Sequence, residues 1–164
     1  MPTLHLLHGM AGSGKTTFAR QLEREFHAVR FSPDEWMVTL HGTNPPESVF
    51  RPQLERIMML IWEHVSRVLR AGSDVVLEGG FWTRASRDEA RRHARELGVS
   101  WRLYALHCPV EEARRRVKER TKALPPGALE ITDATFDHLL RQVEPLGDDE
   151  NHIVVETSAG DSSS

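Results

Sequence analysis

One stretch near the beginning of the chain decides its fold, and it reads Gly9-Met10-Ala11-Gly12-Ser13-Gly14-Lys15-Thr16-Thr17. The spacing of glycine, four residues, glycine, lysine and threonine is that of a P-loop. A short run with three leucines, Thr3–His8, precedes the stretch. After it, apolar residues recur at the three- and four-residue spacing of an amphipathic helix, namely Phe18, Ala19, Leu22 and Phe26. Strand, glycine-rich loop and helix therefore follow one another in the order that this motif requires.

The residue types of this loop suit a phosphate ligand. The glycines Gly9, Gly12 and Gly14 allow the backbone to turn its N–H groups inward and allow a phosphate to approach closely. The loop also opens a helix, whose N-terminus attracts anions. The Lys15 side chain can reach the β- and γ-phosphates, and the Thr16 hydroxyl can ligate Mg²⁺. The motif thus predicts a triphosphate-binding site formed by residues 9–17.

Length and composition indicate one globular domain. A chain of 164 residues with 39% hydrophobic and 27% charged residues is large enough for its own core. The net charge of -3 gives no bulk attraction to nucleic acid. The single cysteine, Cys108, excludes an internal disulfide, and no stretch resembles a signal peptide or a membrane span. We expect a cytoplasmic protein with a domain over residues 1–157 and a disordered tail over residues 158–164.

Hydrophobic periodicity predicts strands that alternate with helices. The predicted strands are Thr3–His8, Ala28–Phe31, Val75–Leu77, Val99–His107 and Ile153–Val155. The predicted helices are Gly14–Phe26, one that begins at Pro33, Ser48–Arg70, Arg84–Leu97, Pro109–Ala123 and Thr132–Val143. This alternation is typical of an α/β fold with a parallel sheet covered by helices on both faces. Ligands bind such sheets at the carboxyl ends of the strands, so the polar residues there are candidates for function.

The acid Asp34 follows the second predicted strand, in the first turn of the helix that begins at Pro33. At that position its carboxylate could face the γ-phosphate and take the proton from an acceptor hydroxyl. The same position also suits an acid that only complements the helix dipole, and position alone leaves the two interpretations even. We assign its neighbour Glu35 to a capping box with Ser32.

The acid Glu78 follows the buried strand Val75–Leu77, which is the position of a Walker-B-type carboxylate. There it could hold Mg²⁺ or the water around it, and the alternative is an ordinary carboxylate at a strand end. Two aromatic residues, Phe81 and Trp82, come shortly afterwards. They could stack on an acceptor at the mouth of the crevice, or pack in the core.

Four arginines recur at helical spacing after the third strand. These are Arg84, Arg87, Arg91 and Arg95, and their spacing places them on one helical face. The first two lie nearer the strand end and could reach a phosphate. For Arg91 and Arg95 we favour a solvent-exposed helix face that carries several ion pairs.

The predicted helix Pro109–Ala123 is strongly basic, and Arg116 and Arg120 share one face of it. A basic helix that leads into the loop Pro125–Leu129 suits a lid that closes over a nucleotide and neutralises charge in the transition state. A solvated run of charges is the alternative. The loop His41–Pro46 is a second candidate border of the site.

Taken together, these stretches resemble the small P-loop kinase superfamily. Within it the chain is similar to the group of chloramphenicol phosphotransferase, zeta toxins and the kinase domain of phage polynucleotide kinase, and to bacterial AAA-family ATP-binding proteins. The stretches that carry the resemblance are Gly9–Thr17, Phe31–Trp36, Val75–Arg87, Arg115–Pro126 and Glu144–Glu150.

The resemblance implies a P-loop NTPase fold of three layers, α/β/α, with a five-stranded parallel sheet in the order 2-3-1-4-5, and ATP and Mg²⁺ as ligands. It implies that Asp34 is the general base and that Arg116 and Arg120 contact the nucleotide. Relatives commonly have Asp where Glu78 stands, so the longer side chain leaves direct contact with the metal open.

We therefore expect an ATP-dependent kinase that transfers a phosphoryl group to a hydroxyl of a small molecule, such as an antibiotic, a nucleoside or a sugar. In this hypothesis Lys15 and Arg120 stabilise the transferred group and Asp34 activates the acceptor. One alternative is a polynucleotide 5′-hydroxyl kinase, which would need a basic channel leading to Asp34. The other is a nucleotide-binding switch that hydrolyses ATP slowly and signals through a partner.

Overall fold

A parallel sheet of five strands lies at the centre of the computed structural model, which describes residues 1–157. The strands are β1 Thr3–His8, β2 Val29–Phe31, β3 Val75–Gly80, β4 Ser100–His107 and β5 Ile153–Glu156. Their order in the sheet is β2-β3-β1-β4-β5, and every neighbouring pair is parallel. The expected P-loop NTPase topology is confirmed. The predicted tail over residues 158–164 lies outside the described residues.

Six helices cover the two faces of the sheet in the described part of the chain. They are α1 Lys15–Phe26, α2 Pro33–His41, α3 Glu47–Arg70, α4 Arg84–Leu97, α5 Val110–Ala123 and α6 Asp133–Gln142. None of the helices within residues 1–157 is long and apolar enough to cross a lipid bilayer. The predicted bounds are correct to within one residue, except at the end of β3. The largest difference is in β3, which extends beyond Leu77 because Gly80 still pairs with His8 of β1.

Local caps explain where several helices begin. The hydroxyls of Thr83 and Thr132 accept bonds from the backbone N–H groups of the first turns of α4 and α6. The Ser32 hydroxyl caps α2 in the same way, at 3.3 Å from the Glu35 nitrogen. The predicted capping box is only half right, because the Glu35 carboxylate accepts bonds from Arg30 at 3.0 and 3.3 Å.

Each face of the sheet has its own hydrophobic cluster, since successive side chains of a strand point to opposite faces. The first cluster joins the strands to α3 and α4 through Leu4, Leu6, Ile57, Ile61, Val65, Ala90 and Ala94. The second joins them to α1 through Leu7, Ala19, Leu22 and Tyr104. A third cluster packs α5 and α6 against the glycine-rich loop, through Ala11, Ala113, Val117 and Phe136. The helices that pack on the two faces of the sheet leave the carboxyl ends of the strands uncovered, and a site can form there.

A buried ion pair fastens α4 to the segment that leads into β5. The Arg87 side chain is 1% exposed and donates to both Glu150 oxygens, at 2.8 and 3.0 Å. Arg91 donates to the same carboxylate at 2.9 Å, and Arg84 pairs with Asp149. The hypothesis that Arg87 reaches a phosphate is therefore wrong, because its side chain is buried in this contact. Arg84 is 44% exposed, and its contact with a phosphate stays a prediction. Arg91 is 11% exposed and does not lie on a solvated face.

The Arg87–Glu150 pair predicts a loss of stability in acid. Hydrogen bonding from Arg87, which outweighs the effect of burial, lowers the pKa of Glu150 from 4.5 to about 2. The stabilisation is therefore complete above pH ~4.5 and is lost as the pH falls towards ~2. We expect Glu150→Gln to be less stable than the parent protein at pH 7, and we expect this difference to shrink as the pH falls. Urea unfolding as a function of pH measures it.

The matched control for this prediction is Glu63→Gln. Glu63 forms an exposed ion pair with Arg67, and exposed pairs contribute only about 0.2–1 kcal/mol. Its effect should be small at every pH. A destabilisation by Glu150→Gln that stayed constant from pH 7 to pH 2 would contradict the assigned pKa.

Candidate functional site

The glycine-rich loop forms a tight turn against α5. Gly12 and Gly14 have φ angles of 79° and 94°, which side chains rarely adopt. A Cβ atom on Gly12 would collide with the carbonyl oxygen of Ala113, so glycine is also needed for the close approach of α5. The Lys15 ammonium donates to the carbonyl oxygens of Gly9 and Met10, at 2.8 and 2.9 Å. Burial lowers the pKa of Lys15 to about 8, against the opposing effect of Asp34 and Glu78.

Two oxygen ligands suited to a magnesium ion lie together beside the loop. The Thr16 hydroxyl donates to one oxygen of the Glu78 carboxylate, whose side chain is 7% exposed. Burial raises the pKa of Glu78, while Thr16 and Arg30 act in the opposite direction. Within residues 1–157, no group of three or more His, Cys, Asp or Glu side chains could hold a metal by itself. A hydroxyl and one carboxylate fit Mg²⁺, which commonly uses few protein ligands together with substrate phosphates and water.

The predicted base Asp34 lies within the electrostatic field of the predicted phosphate-binding cations. It remains accessible to solvent, but protein atoms crowd its carboxyl group, and this desolvation raises its pKa. The positive charges of Lys15 and Arg120 act in the opposite direction and lower it. A carboxyl group whose pKa is raised is a better proton acceptor than an ordinary aspartate. The structure thus brings together Asp34, Lys15 and Arg120, which are 105 residues apart at most in the sequence.

Arg116 and Arg120, the two α5 arginines that were predicted to contact the nucleotide, differ in what they contact. Arg116 donates to the carbonyl oxygen of Thr157 at 2.7 Å and to Glu112 at 3.1 Å, and it reaches the Gly12 carbonyl at 3.5 Å. It therefore connects α5 to the glycine-rich loop and to the residue that follows β5. The buried Nε of Arg120 has no hydrogen-bond partner among the described residues. Because buried donors are nearly always paired, this atom is available to an anion in the site.

The two loops that we expected to border the site contact each other. The Glu130 N–H group donates to the Thr43 carbonyl at 2.9 Å, and the Thr43 hydroxyl donates to the Glu130 carboxylate at 3.1 Å. A Cβ atom on Gly127 would lie 2.8 Å from the Glu35 side chain. The segment 125–131 therefore extends from α5 to the connection between α2 and α3, on the side of the site that carries the candidate base.

Sequence reasoning missed some contacts around the loop and left others open. The Trp82 indole donates to the Gly9 carbonyl at 2.7 Å, whereas Phe81 is 5% exposed and packs in the core. His8 is buried and its Nδ1 bonds to the Phe81 carbonyl at 2.9 Å. The missed residue with the most contacts is Arg30, which lies between three carboxylates. The only sequence signal for it is a charge inside the short strand that precedes the candidate base.

Solved structures of other proteins share this architecture. The chain is similar to a candidate kinase of Chloroflexus aurantiacus, with 15% identity, a TM-score of 0.78 and coverage of 98% of this chain and 91% of that one. It is similar to Kti12 of Chaetomium thermophilum in complex with ADP-AlF3, with 19% identity, a TM-score of 0.72 and the same coverage. It is also similar to the APS kinase CysC of Mycobacterium tuberculosis in complex with AMPPNP and APS, with 19% identity, a TM-score of 0.62 and coverage of 96% and 88%.

Because these identities are low, the similarity to the solved structures establishes the fold alone. None of the curated proteins compared with the chain matches it. The model of a protein family described as an AAA domain (AAA_33) matches residues 4–146, which include the glycine-rich loop, Asp34, Glu78, Arg116 and Arg120. The chain has the P-loop NTPase fold, and it belongs to the AAA domain family.

Proposed function

We propose that the protein is an ATP-dependent phosphotransferase that moves the γ-phosphoryl group to a hydroxyl group of a small molecule. The observation that carries this proposal is the placement of Asp34, an accessible carboxylate of raised pKa, beside Lys15 and Arg120. Binding a triphosphate requires the loop N–H groups and the cations, and it requires no carboxylate at this position. A carboxylate beside them suits a reaction in which a hydroxyl proton must be removed.

Each residue of the site has a distinct role in this proposal. The backbone N–H groups of the glycine-rich loop and Lys15 hold the β- and γ-phosphates. Thr16 and Glu78 would hold Mg²⁺, which when bound would neutralise phosphate charge. Asp34 accepts the proton of the acceptor hydroxyl, and Arg120 stabilises the charge that develops on the transferred group.

A small acceptor fits the surroundings of Asp34 better than a polynucleotide end. The segment 125–131 meets the α2–α3 connection through Thr43 and Glu130, so the acceptor side is bordered by both loops. A polynucleotide would also require free cations that lead to Asp34. The arginines Arg84 and Arg87 at the end of β3 are instead paired with carboxylates.

A screen of hydroxyl compounds tests the proposal. The protein is incubated with ATP, Mg²⁺ and single compounds from a panel of antibiotics, nucleosides and sugars, together with an oligonucleotide that has a 5′-hydroxyl. We expect at least one small molecule to stimulate ADP release and to gain the mass of one phosphoryl group. Phosphorylation of the oligonucleotide alone would replace the proposal with a polynucleotide kinase. Slow ADP release that no compound stimulates would favour the nucleotide-binding switch.

A further inference from the structure

The side chain of Arg30, on β2, lies among three carboxylates. Its guanidinium donates to Glu78 at 3.1 Å and to Glu35 at 3.0 and 3.3 Å. Its Nε lies 3.5 Å from Glu23. Only 13% of the Arg30 side chain is exposed. Such a buried arginine is costly to desolvate unless its partners are well placed, so this arrangement constrains all four side chains.

The three carboxylates belong to different parts of the site. Glu78 also accepts the hydrogen bond from Thr16 and so belongs to the nucleotide half. Glu35 lies in the first turn of α2, directly after Asp34, and so belongs to the acceptor half. Glu23 lies on α1 and is 41% exposed. A continuous series of polar contacts therefore runs from Thr16 through Glu78 and Arg30 to Glu35. Its branch to Glu23 leads away from the site.

The guanidinium group is suited to this place because of its shape. Its planar fork can bond to two carboxylates in fixed directions, which a lysine ammonium cannot reproduce. The pair with Glu78 is the least exposed, since that side chain is 7% exposed, against 35% for Glu35. Charge interactions are less screened where water is excluded. Arg30 therefore acts on the candidate magnesium ligand through the less screened pair, and on the start of α2 through two hydrogen bonds.

We infer that Arg30 is a positioning residue that holds Glu78 at Thr16 and fixes the first turn of α2, and thereby aligns the metal-binding and acceptor halves of the site. This inference rests on the proposed function. Without Arg30, the carboxylates of Glu35 and Glu78 would repel each other, and neither would keep its direction. The ATP-binding glycine-rich loop itself does not depend on Arg30, because neither Lys15 nor the loop carbonyls contact it.

The first test replaces Arg30 by lysine, which keeps the charge and removes the fork. Calorimetry measures ATP affinity with and without Mg²⁺. We expect Arg30→Lys to reduce the gain in affinity that Mg²⁺ provides by about tenfold, the size typical of lost contacts behind a metal ligand. The affinity for ATP without Mg²⁺ should stay unchanged. An unaltered gain from Mg²⁺ in a folded Arg30→Lys protein would overturn the inference.

The second test compares two partners of the same guanidinium. We expect Glu35→Gln to lower the turnover of phosphoryl transfer by about tenfold and to leave Mg²⁺-dependent ATP affinity intact. Glu23→Gln should change neither, because Arg30 is the only ion-pair partner of the Glu23 side chain in the part of the chain that the structure describes. Equal effects of the two substitutions would reduce Arg30 to a structural role and overturn the inference. This pair decides the question even where Arg30→Lys does not fold.

Failure of the inference about Arg30 can be distinguished from failure of the proposed function. A wild-type protein that binds ATP with Mg²⁺ but transfers no phosphate would contradict the proposed transfer. The comparison of Arg30→Lys with Glu23→Gln in Mg²⁺-dependent binding would still decide whether Arg30 positions Glu78.

Discussion

Lys15→Ala should abolish ATP turnover while the fold persists. Within residues 1–157 its ammonium bonds only to the carbonyl oxygens of Gly9 and Met10, and these bonds keep the positive charge at the glycine-rich loop. With a pKa of about 8, the group is mostly charged at pH 7. Removing one such stabilising group from the site of charge development lowers turnover by about 10²–10³-fold. ADP release measures turnover, and calorimetry should show weakened ATP binding.

A measurement of stability distinguishes a loss of turnover in Lys15→Ala from unfolding of the variant. The Lys15 side chain belongs to none of the hydrophobic clusters. The thermal unfolding transition of the Lys15→Ala protein should therefore stay close to that of the parent protein. Lys122→Ala is the matched control, since it removes the same kind of charge from an exposed position near the end of α5. Unchanged turnover in Lys15→Ala would remove the basis for a nucleotide site at residues 9–17.

Features that depend on near neighbours in the chain could be predicted from the sequence. The glycine-rich loop imposes a strand before it and a helix after it, and both were predicted to within a residue. The capping threonines Thr83 and Thr132 act over three residues, and Gly98 ends α4 in a left-handed conformation that favours glycine. The order of the strands came from the resemblance to known kinases, because alternation of elements leaves several orders possible.

Contacts between distant residues could not be predicted. Arg87 has the same helical spacing as its exposed neighbours, and its burial depends on Glu150, which lies 63 residues further along the chain. Glu35 carries the local signal of a capping box, but Arg30 on the adjacent strand competes for its carboxylate. Arg30 itself lies in a strand of three residues, which is too short for any periodicity to indicate where a side chain points.

In the candidate site, too, local features could be predicted from the sequence and contacts between distant residues could not. The loop and the strand-end acids followed from local sequence, but Asp34 had two interpretations of equal weight. The neighbourhood of Lys15 and Arg120 supports its role as a base, and that neighbourhood exists only in the folded chain. Likewise, the sequence grouped Arg116 with Arg120, whereas in the structure Arg116 is paired with protein groups and Arg120 retains a free donor in the described part of the chain.

Asp34→Asn should remove phosphoryl transfer and preserve ATP affinity. Asparagine keeps the size of the side chain but cannot take a proton from a hydroxyl, and loss of a general base lowers turnover by about 10²–10⁴-fold. The substitution also removes a negative charge next to Lys15 and Arg120, so ATP should bind at least as tightly as before. Mass detection of the phosphorylated acceptor measures transfer, and calorimetry measures affinity.

Two further measurements make the result decisive. Asp88→Asn, which removes an exposed carboxylate from α4, should leave transfer unchanged. Hydrolysis of ATP without an acceptor should also fall in Asp34→Asn, because an attacking water must lose a proton just as the acceptor hydroxyl does. Retained transfer in Asp34→Asn would mean that this acid only complements the dipole of α2. Transfer lost together with ATP affinity would instead place Asp34 in nucleotide binding, because a base that acts only on the acceptor cannot change how the triphosphate is held.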